Sequence, residues 1–221
     1  MTFEPLSPLE ARVLGVLIEK QRSVPDTYPL SLNALVAGCN QKSSRAPIMD
    51  VTEGDVLQAL DGLNGRSLIV ESSGGRVMRY AHNAERVLDL PTQSVALLAT
   101  LALRGPQTAA ELRSNSERLH RFADVSTVEA FLHELAERPS GPLVAELARM
   151  PGTREARWMQ LLSGAAPGPA EPREPLIATA GTTDVATLAA RVDALTRELE
   201  ALKVAVAALE ADRLKPSPSV E

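Results

Sequence analysis

The order of structural elements is decided by residues 52–80, which read TEGDVLQALDGLNGRSLIVESSGGRVMRY. Thr52 can cap a helix, and Gly65 suits the end of that helix. The apolar residues between them recur at helical spacing, at Val56, Leu57, Leu60 and Leu63. Two β-type runs follow, 68–71 and 76–80, on either side of a stretch that contains two glycines. The whole stretch therefore predicts a helix followed by a β-hairpin.

Two further helices are predicted before this stretch. Ser7 begins a capping box and predicts a helix that ends near Arg22. Ser31 predicts the cap of a second helix, which ends near residue 40. Three helices followed by a hairpin is the element order of a winged-helix domain, in which a helix-turn-helix carries a β wing. We therefore predict a first winged-helix domain over residues 1–88.

The same order of elements recurs in residues 89–163. Helices are predicted from Ser94 to Arg104, after a cap at Thr108, and after a cap at Ser126. Two β-type runs complete the pattern, 143–147 and 157–162. The chain is therefore predicted to be mainly α with small β wings, an α+β protein with two tandem winged-helix domains.

The C-terminal part of the chain is predicted to hold a linker and a coiled coil. Residues 164–183 are rich in Gly, Ala and Pro, which predicts a flexible linker, and residues 215–221 read as a disordered tail. Residues 184–214 follow a heptad repeat whose a and d positions are Val185, Leu188, Val192, Leu195, Leu199, Leu202, Val206 and Leu209. Val-rich a positions with Leu at d favour a parallel dimer, so we predict a homodimer. The alternative is one amphipathic helix folded back on its own domain, although a packed globular helix drifts from a strict heptad period.

The composition favours a soluble protein of a reducing compartment. The single cysteine, Cys39, cannot form an internal disulfide. The N-terminus shows no signal-peptide pattern, and no apolar run approaches the roughly 18 residues of a membrane span. We therefore expect a cytoplasmic protein that contacts no membrane. The net charge is −5, with 9 Lys and Arg against 10 Asp and Glu in residues 1–88, so the first module is not a basic domain.

Several stretches resemble the YceH family of bacterial proteins. They are residues 9–13, 19–21, 28–31, 39–42 with Arg45 and Pro47, 112–114, 151–152 and 154–155. The run Cys39-Asn40-Gln41-Lys42 with its trailing Arg45 is the most specific of them. The resemblance implies a tandem winged-helix fold and supplies no reaction, ligand or catalytic residue. One departure is Trp158, which stands where a tyrosine is usual.

No enzymatic pattern stands out. The chain has no Walker-type glycine loop and no Gly-x-Gly-x-x-Gly motif after a strand. The histidines lie far apart in sequence and are expected to be surface or helix-packing residues: His82, His120 and His133. Cys39 is expected to be buried in the second helix. Acidic and basic residues of the first helix are expected to form a solvated or inter-helix charge face: Glu10, Arg12, Glu19 and Lys20. We expect no enzyme, catalytic residue, metal site or cofactor.

The third helix of each module is a poor reader of DNA bases. Residues 53–64 carry three acidic and no basic side chains, and residues 127–138 carry three acidic side chains and one arginine. Acidic side chains are repelled by the phosphates that flank the major groove. The loop between the second and third helices is better suited, with side chains at Asn40, Gln41, Lys42, Ser43, Ser44 and Arg45. Arginines beside the first wing could contact phosphates: Arg66, Arg76 and Arg79. The alternative is a solvated loop whose Asn and Ser side chains cap the neighbouring helices.

Two functional hypotheses remain open at this stage. The first is a dimeric DNA-binding or transcription-associated protein that uses the 40–45 loop and the first wing. The second is a protein-interaction scaffold without nucleic-acid binding, whose acidic third helices and coiled coil recruit a protein partner. Fold alone does not choose between them.

Overall fold

The computed structural model describes residues 4–73, 77–149 and 155–164. The predicted coiled coil, the disordered tail, Arg76 and the linker beyond Gly164 lie outside these residues. The described chain contains, in order, α1 (Pro8–Ser23), a 3-10 turn (Pro25–Thr27), β1 (Leu30–Ser31), α2 (Leu32–Cys39), α3 (Glu53–Gly65), β2 (Ile69–Ser72), β3 (Arg79–His82), α4 (Ala84–Leu88), α5 (Thr92–Arg104), α6 (Ala109–Asn115), α7 (Val125–Ala136), β4 (Val144–Glu146) and β5 (Trp158–Gln160).

The strands form two small antiparallel sheets. One has the order β1-β3-β2, with Ile69 opposite His82, and the other pairs β4 with β5. About half of the described residues are helical, so the predicted α+β class is confirmed. No helix in the described ranges is long and apolar enough to cross a membrane.

The helix starts follow from side-chain caps. Capping boxes begin three helices, at Ser7 for α1, Thr52 for α3 and Thr108 for α6, and the Ser31 side chain caps α2. These four caps confirm the predicted starts. The Ser126 cap was a wrong prediction, because α7 begins two residues earlier, where the Asp124 carboxylate accepts a hydrogen bond from the Thr127 amide at 2.7 Å.

The third helix ends at Gly65, as predicted, and the left-handed residue beyond it is Ser67, with a φ of 57°. The amides of Ser67 and Leu68 then bond the carbonyls of Asn64 and Leu63, which closes a Schellman motif. Leu57 does not face the core and is 42% exposed, because it lies about 100° around the helix from buried Val56.

The first hairpin is shifted from its predicted position. β3 begins at Arg79, three residues later than expected, and it pairs on both edges, with β2 and with β1. Neither β1, with two residues, nor α4, with five, was predicted, since both are too short to show a hydrophobic period.

The buried apolar side chains of the described residues form one core cluster, from Leu6 to Leu162. α1 packs against α2 and α3 on one side and against α5 on the other. The α1–α5 approach is close, because a Cβ on Gly15 would lie 3.1 Å from the Leu103 side chain. The amide of Leu6 also donates to the carbonyl of Leu162 at 2.7 Å, which joins the two ends of the described chain. The domain boundary near residue 88 stays a prediction.

Candidate anion-binding cleft

The 40–45 loop contains one side chain that is committed to holding the loop itself. Asn40 accepts a hydrogen bond from the Val51 amide and donates one to the Val51 carbonyl, both at 2.8 Å. Both polar groups of the amide are therefore occupied within the fold. The alternative interpretation of the loop expected this side chain to cap a neighbouring helix, whereas it bonds Val51 across the loop and Thr52 caps α3.

Arg45 lies in the interior and not on the loop surface. Its Nη1 and Nη2 donate to the Glu19 carboxylate at 3.1 and 2.6 Å, its Nε donates to the Gly38 carbonyl at 3.0 Å, and its side chain is 0% exposed. Burial alone would raise the pKa of Glu19, but the hydrogen bonds and charge of Arg45 outweigh burial and hold that pKa below its usual value. The expectation that Arg45 is displayed to a ligand was therefore wrong.

Arg12 supports the same loop from below. It is 1% exposed, and its Nη2 and Nη1 donate to the carbonyls of Pro47 and Cys39 at 2.7 and 3.4 Å. Burial, and then the charge of Arg45, lower the pKa of Arg12. The charge face of α1 is thus an inter-helix contact here, and the solvated alternative is wrong for Arg12.

Cys39 is buried in α2, as the sequence predicted. Its side chain is fully enclosed, and burial raises the pKa of its thiol to about 11 against the opposing charges of Arg12 and Arg45. The thiol is therefore protonated at neutral pH and unreactive as a nucleophile.

The remaining loop residues face outward. Lys42 and Ser43 are exposed, and Gln41 donates to the Ser43 carbonyl at 3.0 Å. Ser44 has a φ of 58°, and its Oγ accepts a hydrogen bond from Nη2 of Arg104 at 2.7 Å. Nζ of Lys20 lies 3.4 Å from the Gln41 side-chain oxygen. The loop therefore meets cationic side chains from α1 and α5.

Several of these side chains, though not that of Lys42, line a cleft of about 440 Å³. It lies between α1, the loop, the end of α5 and the turn after α6, and its polar lining includes Lys20, Gln41, Ser43, Ser44, Arg104 and Arg118. Among the described lining residues the carboxylate is that of Glu19, which is paired with Nη2 of buried Arg45 at 2.6 Å and with Nζ of Lys20 at 3.4 Å. The cleft is therefore a cationic site in a chain whose net charge is −5.

The other predicted phosphate contacts lie elsewhere. Arg66 is paired with Glu10 at 3.0 Å and with Glu4 at 3.5 Å, and Arg79 donates to the Pro29 carbonyl at 2.8 Å. Neither is among the described residues that line the cleft. The described members of the predicted set are thus not all at the cleft, and three cations of the cleft were missed, at Lys20, Arg104 and Arg118. No local sequence pattern marks these three cations as a site, because they come from α1, the end of α5 and the turn after α6 and meet only through tertiary packing.

The exposed face of α3 carries the opposite charge. Glu53, Leu57 and Asp61 lie at i, i+4 spacing on one stripe, and all three are exposed. Glu129 and Glu134 are exposed on α7, and Glu137 is exposed directly after it. The exposed faces of α3 and α7 therefore repel phosphate.

The histidines are packing residues, as expected. His82 Nε2 lies 2.7 Å from the Gln21 side-chain oxygen, and burial lowers the pKa of His82 to about 4. His120 packs edge-on against Phe122, and His133 packs against Trp158. Within the described ranges no group of three or more His, Cys, Asp or Glu side chains could hold a metal ion.

Comparison with known proteins gives a consistent set of relatives. Residues 6–153 match a family model described as a protein of unknown function, DUF480. The chain is 57% identical over 205 residues to a UPF0502 protein of Cupriavidus necator, which covers 91% of this chain and 84% of the relative. It is 65% identical over 159 residues to a UPF0502 protein of Burkholderia cenocepacia, covering 72% and 67%. A UPF0502 protein of Dechloromonas aromatica is 56% identical over 206 residues, covering 90% and 92%.

Proposed function

This chain belongs to the DUF480 family of UPF0502 proteins, and we propose that it is a non-enzymatic protein that binds DNA through backbone phosphates. The YceH group named from its sequence motifs is part of this family. The observation that carries the proposal is the convergence of cations around the 40–45 loop. We call Lys20, Lys42, Arg104 and Arg118, with Gln41 and Ser43 between them, the basic face.

The basic face has the chemistry that backbone recognition requires. Lysine and arginine neutralise phosphates and release their counterions, while glutamine and serine donate hydrogen bonds to phosphate oxygens. A local cationic surface is needed here, because the whole chain carries −5 and would otherwise repel a polyanion. The paired state of Glu19 keeps its carboxylate from cancelling the field of the neighbouring cations.

The element order supports a tandem winged-helix architecture for this function. α1, α2 and α3 precede the β2–β3 hairpin, and α5, α6 and α7 precede the β4–β5 hairpin. In this interpretation the protein does not insert α3 into the major groove, because Glu53 and Asp61 would face the phosphates. It approaches DNA with the loop between α2 and α3 and with the end of α5.

The proposal includes a homodimer held by a coiled coil over residues 184–214. Its support is the unbroken Val and Leu heptad pattern from Val185 to Leu209. Light scattering of the full chain should give the mass of two copies, and Leu195→Glu should reduce it to one. A single-copy mass for the unaltered chain would contradict the dimer.

A mobility-shift titration with short DNA duplexes at low salt tests the proposed function. We expect Lys42→Gln combined with Arg118→Gln to weaken binding at least about tenfold and to reduce the salt slope by about 2, because two phosphate contacts are lost. Both side chains are exposed, so the fold should be retained.

The matched control is Arg86→Gln combined with Arg121→Gln, which removes the same charge at exposed positions outside the basic face. An equal loss of affinity in this control would assign the binding to overall charge. Absence of any shift with the unaltered chain at micromolar concentration would contradict DNA binding itself.

A protein-interaction role is the second candidate, and the exposed face of α3 favours it. Leu57 is 42% exposed between Glu53 and Asp61, which is an apolar centre with acidic flanks. Such a surface suits a basic protein partner and repels DNA. Leu57→Ser should deplete a specific co-purifying protein while leaving DNA affinity unchanged, and an identical set of captured proteins would count against this role.

A further inference from the structure

We propose that the cleft at the centre of the basic face is a binding site for a small phosphorylated molecule. The occupant is an organic phosphate monoester, whose phosphate contacts Arg104 and Arg118 and whose organic part packs on Leu103 and Leu119. Binding needs only the cleft, whereas its consequence, competition with DNA, rests on the proposed function.

The charges of the cleft match a phosphate dianion. Lys20, Arg104 and Arg118 line it, and the neighbouring carboxylate of Glu19 is held by two hydrogen bonds from buried Arg45. An anion entering the cleft therefore meets Arg104, Arg118 and Lys20, whose Nζ also lies 3.4 Å from the Glu19 carboxylate that Arg45 holds. Charge-assisted hydrogen bonds from arginine to phosphate are among the stronger polar interactions available to a protein.

The donors are held by the fold around the cleft. Nη2 of Arg104 donates to the Ser44 Oγ at 2.7 Å, so this guanidinium is fixed at the cleft wall with other N–H groups left for a ligand. The Gln41 amide is fixed in turn, between Lys20 and Ser43. Prior ordering of the donors reduces the entropy that a ligand must lose on binding.

The size and lining of the cleft favour a small organic ligand. Its volume of about 440 Å³ lies within the range of about 300–1,000 Å³ typical of small-molecule pockets. Leu103 and Leu119 add apolar contacts beside the cations, which free inorganic phosphate would not use. A DNA duplex is too wide to enter a cleft of this size, because the duplex is wider than its own major groove, which measures about 12 Å.

The position of the cleft links the two halves of the described chain. Lys20 and the loop come from the N-terminal half, and Arg104 and Arg118 come from the C-terminal half. A bound phosphate would neutralise the cations that the proposed function assigns to DNA. The ligand is therefore expected to lower DNA affinity by occupying part of the basic face.

Isothermal titration calorimetry of the full chain with inorganic phosphate and with phenyl phosphate tests the site. We expect phenyl phosphate to bind more tightly than inorganic phosphate, because it also contacts Leu103 and Leu119. Arg118→Gln and Arg104→Gln should each weaken phenyl phosphate binding about tenfold, the effect of one lost charge-assisted hydrogen bond. Arg86→Gln is the charge-matched control and should leave the affinity unchanged.

The outcomes separate this proposal from DNA binding. Phenyl phosphate binding that depends on Arg104 and Arg118 supports the site, even if no DNA is shifted. No measurable heat with either probe at millimolar concentration overturns it, even if the protein shifts DNA in the mobility assay. If Arg104→Gln then weakens that DNA binding, the cleft is occupied by DNA phosphates. Binding that survives both arginine substitutions also overturns it. Circular dichroism checks the fold of each variant, and exposed Arg118 provides the test if Arg104→Gln fails to fold.

Discussion

Two buried arginines hold the loop that carries the proposed site. Arg12 bonds the carbonyls of Cys39 and Pro47, and Arg45 bonds Glu19 and the carbonyl of Gly38. Removing one partner of a buried ion pair leaves an uncompensated charge, which typically costs several kcal/mol. Substitution of Arg45 would therefore perturb folding before it reported on binding. Lys42, which is exposed, is the residue of this loop whose substitution tests recognition.

His82 should make stability depend on pH. Burial lowers the pKa of His82 to about 4, from an ordinary value of 6.5, and the nearby charge of Glu85 only partly opposes this. Below about pH 6.5 the histidine is therefore protonated in the unfolded chain but still neutral in the folded chain. The free energy of unfolding is highest above that pH and falls as the pH decreases toward 4. We expect a loss of about 2 kcal/mol between pH 7.5 and pH 5, measured by urea unfolding.

His82→Gln should remove most of this pH dependence, whatever its effect on stability at pH 7.5. His133→Gln, at an exposed position of α7, should retain it. An unaltered slope in His82→Gln would show that another group is responsible.

At the scale of single residues, the sequence distinguishes side chains only by type. Lys42 and Arg45 stand three positions apart in one polar loop, yet one is exposed and the other is fully buried on Glu19. The difference arises because α1 passes beneath the loop, which no local pattern encodes. The capping residues Ser7 and Thr52 were predictable, since a cap bonds an amide only three residues away.

At the scale of elements, the close contact of α1 with α2 depends on Gly38. A Cβ at this position would lie 2.6 Å from Cγ1 of Val16, which is too close for either helix to accommodate without moving. Gly38→Ala should therefore destabilise the protein by about 1–3 kcal/mol in urea unfolding, although alanine favours the helix itself.

Gly54→Ala is the matched control within a neighbouring helix. The nearest atom to a Cβ there is the Thr52 Oγ1 at 3.7 Å, an ordinary contact. Stability should stay unchanged or rise by up to about 1 kcal/mol, because only the helix preference changes. Equal effects of the two substitutions would contradict the proposed role of Gly38.

The long helices were predictable because their signal is local, whereas the placement of the cleft was not, because it depends on contacts between distant parts of the chain. α3, α5 and α7 each show an apolar period over twelve or thirteen residues, which local sequence encodes. The cleft joins Lys20 to Arg118, nearly a hundred positions apart, through the packing of α1 on α5. The sequence therefore predicts the loop at one edge of the site but not the cations that face it.

At the scale of the whole molecule, the two halves share one core through α1 and α5. Leu14 and Leu17 of α1 belong to the same apolar cluster as Leu98 and Leu101 of α5. Neither half can lose this contact without exposing apolar side chains of the other to water. The described residues are therefore expected to unfold as one cooperative unit.

The single tryptophan and the single cysteine can measure this cooperativity, because they lie in different halves. Trp158 is buried on β5 and reports the C-terminal half by fluorescence, while Cys39 is buried on α2 and reports the N-terminal half by thiol labelling. The two urea midpoints should coincide. Leu132→Ala, at a fully buried position of α7, should lower both together, by about 2–5 kcal/mol of stability. A fall in the tryptophan midpoint alone would show that the halves unfold independently, and the α1–α5 contact would then be too weak to hold the two walls of the cleft in register.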